Sequence, residues 1–159
     1  MRIAVVIAVV ALTTIGALAY ISGDRGDDNG SLAARLLIED EYALGEPISL
    51  LLEVENTQRD TVTIVYGQDS PYSFGVNYPP EGDVLTGAWS FAPSVPTTTE
   101  ALRELPTGER IQFRARWDQK DDSGKQVPPG VYQVWASHWG RCEPDDCTAR
   151  ESASIRITQ

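Results

Sequence analysis

Short runs in which apolar and polar residues alternate are the feature that most constrains the fold of this chain. In Ile48–Glu55 the residues at every second position, Ile48, Leu50, Leu52 and Val54, are apolar and share one face, while Ser49, Glu53 and Glu55 lie mostly on the other. Successive side chains of a strand point to opposite faces, so this spacing is typical of a half-buried strand. The same alternation places Ile111, Phe113, Ala115 and Trp117 on one face of Glu109–Trp117. From Ser31 onward no segment has a helical period, so the sequence predicts an all-β domain.

Seven to nine short strands separated by turn residues are expected. The predicted strands are Leu32–Glu39, Ile48–Glu55, Thr61–Tyr66, Tyr72–Tyr78, Asp83–Phe91, Glu109–Trp117, Val131–Trp139 and Ser152–Thr158. The second and third are separated by a short polar turn that begins at Asn56, which predicts a hairpin. Ala92–Gly108 and Asp118–Gly130 are predicted to be long connections. Because no helix lies between the strands, we expect antiparallel pairing in a β-sandwich that forms one domain.

The amino terminus predicts export. Ile3–Ile21 is uncharged and apolar, close to the minimum length for a membrane-spanning helix, and Arg2 before it favours a cytoplasmic amino end. Residues 1–21 are therefore a membrane anchor, or a signal peptide cleaved near Ala17-Leu18-Ala19. Residues 22–31 form a flexible acidic linker, and residues 32–159 form the folded domain. The domain is expected outside the cell, held at the membrane by this single segment, or secreted if the segment is cleaved.

The net charge narrows the classes of partner. Thirteen Lys and Arg against twenty-three Asp and Glu give a formal charge of −10. A chain this acidic repels nucleic acid and anionic lipid headgroups. The prediction is therefore no nucleic-acid partner, and membrane contact through the amino-terminal segment only.

The residues that could carry chemistry predict neither an enzyme nor a metal or cofactor site. His138 is the one histidine, on the same strand face as Tyr132 and Val134, and no nucleophile motif accompanies it. Cys142 and Cys147 are too few ligands for zinc without two more. In an oxidising compartment the pair is expected to form a disulfide, with free thiols as the alternative.

Aromatic and basic residues suggest a binding surface. Trp135 and Trp139 fall on the strand face opposite Tyr132, while Arg114 and Arg116 fall on the outer face of the preceding strand. If these two strands pair, the four side chains share one surface. Trp and Arg are the residue types most enriched in binding hot spots. The alternative is a Trp–Arg ladder that is satisfied internally and binds nothing.

An ordered series of turns and aromatic residues resembles the intracellular proteinase inhibitor (BsuPI-type) domain family. The matching segments are the hairpin with Asn56 at its turn, Gly67–Phe74, Trp89-Ser90, Leu105–Glu109, Trp117–Gln119 and Val127–Val134. The resemblance implies an immunoglobulin-like β-sandwich and a protein partner, a serine protease. The alternative function is an immunoglobulin-like structural or adhesion module of the cell envelope.

Overall fold

The computed structural model describes residues 32–67, 70–79, 86–93, 101–142 and 147–159. Within these ranges every regular element is a strand. The strands are β1 Leu32–Leu37, β2 Glu41–Ala43, β3 Ile48–Asn56, β4 Val62–Tyr66, β5 Tyr72–Asn77, β6 Gly87–Phe91, β7 Ala101–Leu105, β8 Arg110–Trp117, β9 Gly130–His138, β10 Arg141–Cys142 and β11 Ala149–Thr158. The all-β prediction is confirmed. The predicted amino-terminal helix and linker lie outside the described residues.

The strands form three sheets. One has the order β1-β3-β8, a second the order β10-β4-β7, and the third the order β2-β11-β9-β5-β6. All pairs are antiparallel except β2 with β11, which is parallel. The expectation of antiparallel pairing alone is therefore wrong at this sheet edge. A turn at Gly45, which has a φ of 84°, connects β2 to β3. The three residues of β2 pair with β11, the last strand of the described chain.

The hairpin predicted from β3 and β4 does not form. The two edges of β3 are occupied by β1 and β8, and β4 pairs with β7 and β10 in another sheet. After β3 the chain crosses from the β1-β3-β8 sheet to the β10-β4-β7 sheet. The side chain of Asn56, at the end of β3, holds the backbone at this crossing. Its Nδ2 donates to the carbonyl oxygens of Asp60 and Leu105, each at 2.8 Å, and its Oδ1 accepts from the amide of Gln58. The segment after β3 thus carries the chain from one sheet to another.

The inward faces of the β1-β3-β8 sheet and the five-stranded sheet contact each other through aromatic side chains. Phe113 of β8 lies 4.5 Å from Tyr72 of β5, and Trp117 lies 5.8 Å from Tyr132 of β9, measured between ring centroids. Trp117 is fully buried, and its Nε1 donates to the carbonyl of Lys120 at 2.7 Å. Burying an indole this way stabilises the fold because its one polar group keeps a partner. The alternation predicted for β3 is confirmed, since Ile48, Leu50, Leu52 and Val54 are at most 1% exposed.

The corner before β9 is fixed by a tyrosine. The hydroxyl of Tyr132 donates to the carbonyl oxygen of Pro128 at 2.6 Å, four residues earlier in the chain. Burial raises the pKa of Tyr132 to about 12, so the hydroxyl keeps the proton that it donates. This bond sets the direction in which β9 enters the five-stranded sheet.

Candidate functional site

The four side chains predicted to form one surface do not meet. Trp135 and Trp139 belong to β9 and the residue after it, whereas Arg114 and Arg116 lie on β8 in a different sheet. The pairing of β8 with β9 on which the prediction depended is absent, because β9 pairs with β5 and β11. Arg114 Nη2 instead donates to Gln112 Oε1, and Arg116 Nε donates to Asp118 Oδ1.

Trp135 does stack on an arginine, but that arginine comes from β11. The Arg150 guanidinium carbon lies 5.2 Å from the centre of the Trp135 ring. On β5, Gly75 is the register partner of Trp135. A Cβ added to Gly75 would lie 2.3 Å from two atoms of the indole. The indole therefore rests directly on the backbone of Gly75, and the absence of a side chain there makes this placement possible.

Trp139 is the exposed aromatic residue of the same face. Its ring is 47% exposed, although its Nε1 donates to Ser73 Oγ at 3.1 Å. Its backbone amide donates to the carbonyl of Pro71 at 2.8 Å, which continues the pairing of β5 with β9. These two hydrogen bonds fix the indole of Trp139 as a flat apolar plate on the outward surface of the sheet.

Ser137 lies between the two tryptophans in sequence and shares their side of β9. The residue is 1% exposed, and its Oγ is buried without a hydrogen-bond partner. Buried hydroxyl groups in folded proteins nearly always have a partner, because an unpaired one costs about 1–3 kcal/mol. Ser137 is therefore an exception that the internal packing of the domain does not explain.

We name the surface around these residues the Trp135–Trp139 face. It comprises the outward-facing residues Ser73, Gly75, Asn77, Gln133, Trp135, Ser137, Trp139, Arg150, Ser152 and Ser154. Of these ten residues Arg150 is the one charged side chain and none is a carboxylate, and Arg156 lies farther along the same side of β11. The surface is thus locally basic in a chain whose formal charge is −10.

The predicted disulfide between Cys142 and Cys147 is present. The two Cα atoms lie 5.3 Å apart, which is within the range of ordinary disulfides. Both residues are buried, and β10, which contains Cys142, pairs with β4. The bridge therefore fastens the connection between β9 and β11 to the β10-β4-β7 sheet.

His138 has both ring nitrogens occupied by structural contacts. Nδ1 lies 3.0 Å from the Cys147 carbonyl oxygen, and Nε2 lies 3.0 Å from the hydroxyl of Tyr66. A carbonyl only accepts, so Nδ1 carries the proton and Nε2 accepts from Tyr66. Burial lowers the pKa of His138, which favours this neutral form. The imidazole is thus held between the Cys147 backbone and the Tyr66 hydroxyl.

The acidic turn after β8 is also internally satisfied. Oδ1 of Asp121 accepts from the amides of Ser123 and Lys125 and from Ser123 Oγ, while Oδ2 accepts from the hydroxyl of Tyr78. The hydrogen bond from the Ser123 side chain is the main reason that the pKa of Asp121 is lowered. Over the described ranges, no group of three or more His, Cys, Asp or Glu side chains is arranged to hold a metal ion.

No helix in the described part of the chain is long and apolar enough to cross a membrane. The segment predicted to do so falls outside that part.

Sequence reasoning missed Arg150, Gly75, Ser73 and Ser137 as members of this site. Connection length gave no signal for Arg150. Twelve residues separate β8 from β9, and ten residues that include β10 separate β9 from β11. Had β9 been paired with a last strand starting at Ala149, Arg150 would have fallen beside Trp135. No sequence signal identifies the contact of Gly75.

Comparisons with known proteins give structural neighbours only. Neither a protein-family profile nor a curated protein matches this chain. Spo0M, a sporulation control protein from Bacillus subtilis, is similar over 82% of this chain and 50% of its own, with 14% identity and a TM-score of 0.50. The alkylpurine DNA glycosylase AlkC from Pseudomonas fluorescens, in a complex with DNA, matches 82% of this chain and 31% of its own, with 15% identity and a TM-score of 0.47. A β-glucosidase from Listeria innocua matches 85% of this chain and 17% of its own, with 10% identity and a TM-score of 0.45.

Of these neighbours Spo0M is informative, and about the fold alone. The chain spans half the length of Spo0M and less of the other two proteins. At such low identity a shared fold does not imply a shared function. The functional argument therefore depends on the residues of this chain.

Proposed function

We propose that this chain is an exported, membrane-tethered binding module of the cell envelope, and that it recognises its partner through the Trp135–Trp139 face. The observation that carries the proposal is the ordered arrangement of Trp135 between Gly75 and Arg150, beside the exposed ring of Trp139. Aromatic and arginine side chains held rigid before binding lose little entropy when a partner arrives. The domain is not an enzyme in this proposal.

An immunoglobulin-like β-sandwich is the architecture that we propose for this module. The hydroxyl of Tyr132, near the start of β9, bonds back to Pro128, as in the tyrosine corner of immunoglobulin-like domains. The buried Trp117 of the facing sheet packs on the same tyrosine. Both features support the finer fold assignment, and the all-β topology is compatible with it.

Two features support a location outside the cell. The apolar segment Ile3–Ile21 is suited to a membrane anchor or signal peptide. The Cys142–Cys147 bridge is the state expected of such a pair in an oxidising compartment. These features are independent, because one concerns targeting and the other concerns redox chemistry.

Export is tested by labelling the full-length chain on intact cells. We choose Leu44→Cys, in the exposed turn before β3, since no free cysteine belongs to the described residues. A membrane-impermeant maleimide should label this variant without permeabilisation. Labelling that appears only after permeabilisation would overturn export, and the mass of the mature amino terminus would distinguish a retained anchor from a cleaved signal.

Recognition through the face is tested with a photo-crosslinking amino acid at position 139 of the membrane-tethered chain. The matched control carries the same residue at position 102, because Leu102 is 71% exposed and lies on β7 in another sheet. The expected result is an envelope adduct specific to position 139 that unlabelled wild-type chain competes away. Equal adducts from both positions, or none from 139, would exclude the face as the recognition surface.

Inhibition of a serine protease is the second candidate function. The observation that favours it is that Val127–Val134, the most specific segment of the resemblance to the BsuPI-type family, forms the rigid Tyr132–Pro128 corner. The test is residual activity of secreted and intracellular serine proteases mixed with micromolar protein. Full activity across the set would exclude this function.

A further inference from the structure

We propose that the Trp135–Trp139 face binds an acidic oligosaccharide, a sugar chain that carries carboxylate groups. This inference rests on the proposed function, since it names the class of ligand for the same surface. It is built from three independent properties of the face: an exposed aromatic plate, an unsatisfied hydroxyl and a lone cation.

The aromatic plate is the indole of Trp139. A pyranose ring has an apolar face of C–H groups and a rim of hydroxyls, so it stacks on a flat aromatic ring with polar neighbours. The Trp139 ring is exposed and held by its hydrogen bond to Ser73. Ser73 is its hydroxyl neighbour, and the other hydroxyl and amide side chains of the face lie farther along the strands, namely Asn77, Gln133, Ser152 and Ser154. An apolar surface with a few placed polar groups is the usual composition of small-ligand sites.

Ser137 supplies the second property. Its buried Oγ has no hydrogen-bond partner among the residues that the structure describes, and it belongs to the outward side of β9, between the two tryptophans. Because this Oγ is buried, a sugar hydroxyl reaches it only if a neighbouring side chain of the face shifts while the Trp139 ring keeps its hydrogen bond to Ser73. The ligand would then satisfy a group that the domain leaves unpaired.

Arg150 selects for acidic sugars. The guanidinium carbon lies 5.2 Å from the centre of the Trp135 ring, so the indole holds the cation on this face. A planar guanidinium binds a carboxylate with two parallel hydrogen bonds. Because none of the described residues that define the face is a carboxylate, an acidic ligand meets no like charge from them. The net charge of −10 would disfavour such a ligand on most other parts of the chain.

The size and polarity of the face favour a sugar over a protein. From Gln133 to Trp139 the strand extends about 20 Å, and three strands are about 10 Å wide between their outer axes. The resulting area of roughly 200–300 Å² is well below the ~800 Å² that each partner buries in a stable protein interface. One exposed ring among hydroxyls and amides also lacks the apolar centre of such interfaces.

The test uses the full-length chain in micelles of a polyoxyethylene detergent, because that detergent carries no sugar headgroup. The ligands are the hexamer of galacturonic acid, the hexamer of hyaluronan, and neutral cellohexaose. NMR spectra follow the indole N–H signals of the four tryptophans, each assigned with a Trp→Phe variant. We expect an acidic hexamer to move the signals of Trp135 and Trp139 and to leave those of the buried core, including Trp117, in place.

Variants then separate the three properties. Trp139→Ala should weaken binding of the acidic hexamer at least about tenfold, while Leu102→Ala should leave it unchanged. Arg150→Gln should weaken the acidic hexamer about tenfold and bring its affinity to that of cellohexaose. Ser137→Ala should weaken binding several-fold without lowering stability. An unchanged affinity in that variant would remove Ser137 from the site.

Two outcomes overturn the inference. One is that neither acidic hexamer moves the signals of Trp135 and Trp139, and the other is that cellohexaose binds as tightly as they do. If no sugar binds but position 139 still crosslinks specifically to an envelope protein, the proposed function stands and its ligand is a protein. If neither experiment gives a signal at position 139, both proposals fail together.

Discussion

Nδ1 of His138 and the carbonyl oxygen of Cys147 lie 3.0 Å apart, so the second cysteine of the disulfide is bonded to a buried side chain of β9. The imidazole is bonded on its other side to Tyr66 of β4. One neutral histidine therefore connects the disulfide, the five-stranded sheet and the β10-β4-β7 sheet. This arrangement makes the stability of the domain depend on the protonation of His138.

The first prediction concerns pH. Burial lowers the pKa of His138 below its ordinary value of 6.5, so between the two pKa values the unfolded chain binds a proton that the folded chain does not. The free energy of unfolding should be highest above 6.5 and should fall as the pH drops from there to the folded pKa. Urea denaturation at about pH 7.5 and pH 5 measures the difference. His138→Gln should reduce the change of the unfolding free energy with pH. If that change is the same in the variant, other titratable groups cause it.

The second prediction concerns Gly75. Replacing it with Ala places a Cβ 2.3 Å from the Trp135 ring, so the indole must move away from the sheet. We expect a loss of about 1–3 kcal/mol in the free energy of unfolding. Gly87→Ala is the matched control, because it also lies in a strand of this sheet and its Cβ meets nothing within 4 Å. The loss should shrink when Trp135→Ala is added, and simple additivity of the two changes would contradict the contact.

The third prediction concerns Asn56. Its fully buried side chain makes three bonds to backbone groups at the crossing between β3 and β4. Asn56→Ala leaves the Leu105 carbonyl without this donor in a buried place, so we expect a loss of about 2–4 kcal/mol in chemical denaturation. Gln58→Ala is the control, because it retains the backbone amide that bonds to Asn56 and removes only an exposed side chain. Equal losses from the two substitutions would show that the crossing is held by other contacts.

The fourth prediction concerns the disulfide. Cys142 and Cys147 are five positions apart, and closing so short a loop stabilises a fold by about 2 kcal/mol. The double replacement by Ser should lower the free energy of unfolding by about that amount. It should also change the NMR titration of His138, because the Cys147 carbonyl is no longer held against the ring. If stability falls but the titration of His138 is unchanged, the disulfide does not control the environment of the histidine.

The strands with one buried face could be predicted from the sequence, and the others could not. β3 and β8 alternate because the core covers one side of each. The first four residues of β7 are exposed, so burial imposes no period and the sequence suggested a loop. The three residues of β2 are too few to show any pattern.

The candidate site was predicted only in its tryptophans, because pairing between strands is a property of the whole topology. A period of two placed Trp135 and Trp139 on the outward side of β9, but it says nothing about the adjacent strand. Arg114 was expected beside Trp135 and Arg150 was found there, because β9 lies between β5 and β11. The unpaired hydroxyl of Ser137 could not be predicted from the sequence, since a missing hydrogen bond can be recognised only when the neighbouring groups are placed in space.

The position of β11 has a consequence for how the domain is made. This strand lies between β2 and β9, yet it emerges after every other strand that the structure describes. Until it arrives, the edge of β9 is open and β2 has no partner, so the nascent domain exposes unpaired backbone that can aggregate. Were the chain exported, as proposed above, a chaperone that shields this edge during translocation would lower the risk of aggregation.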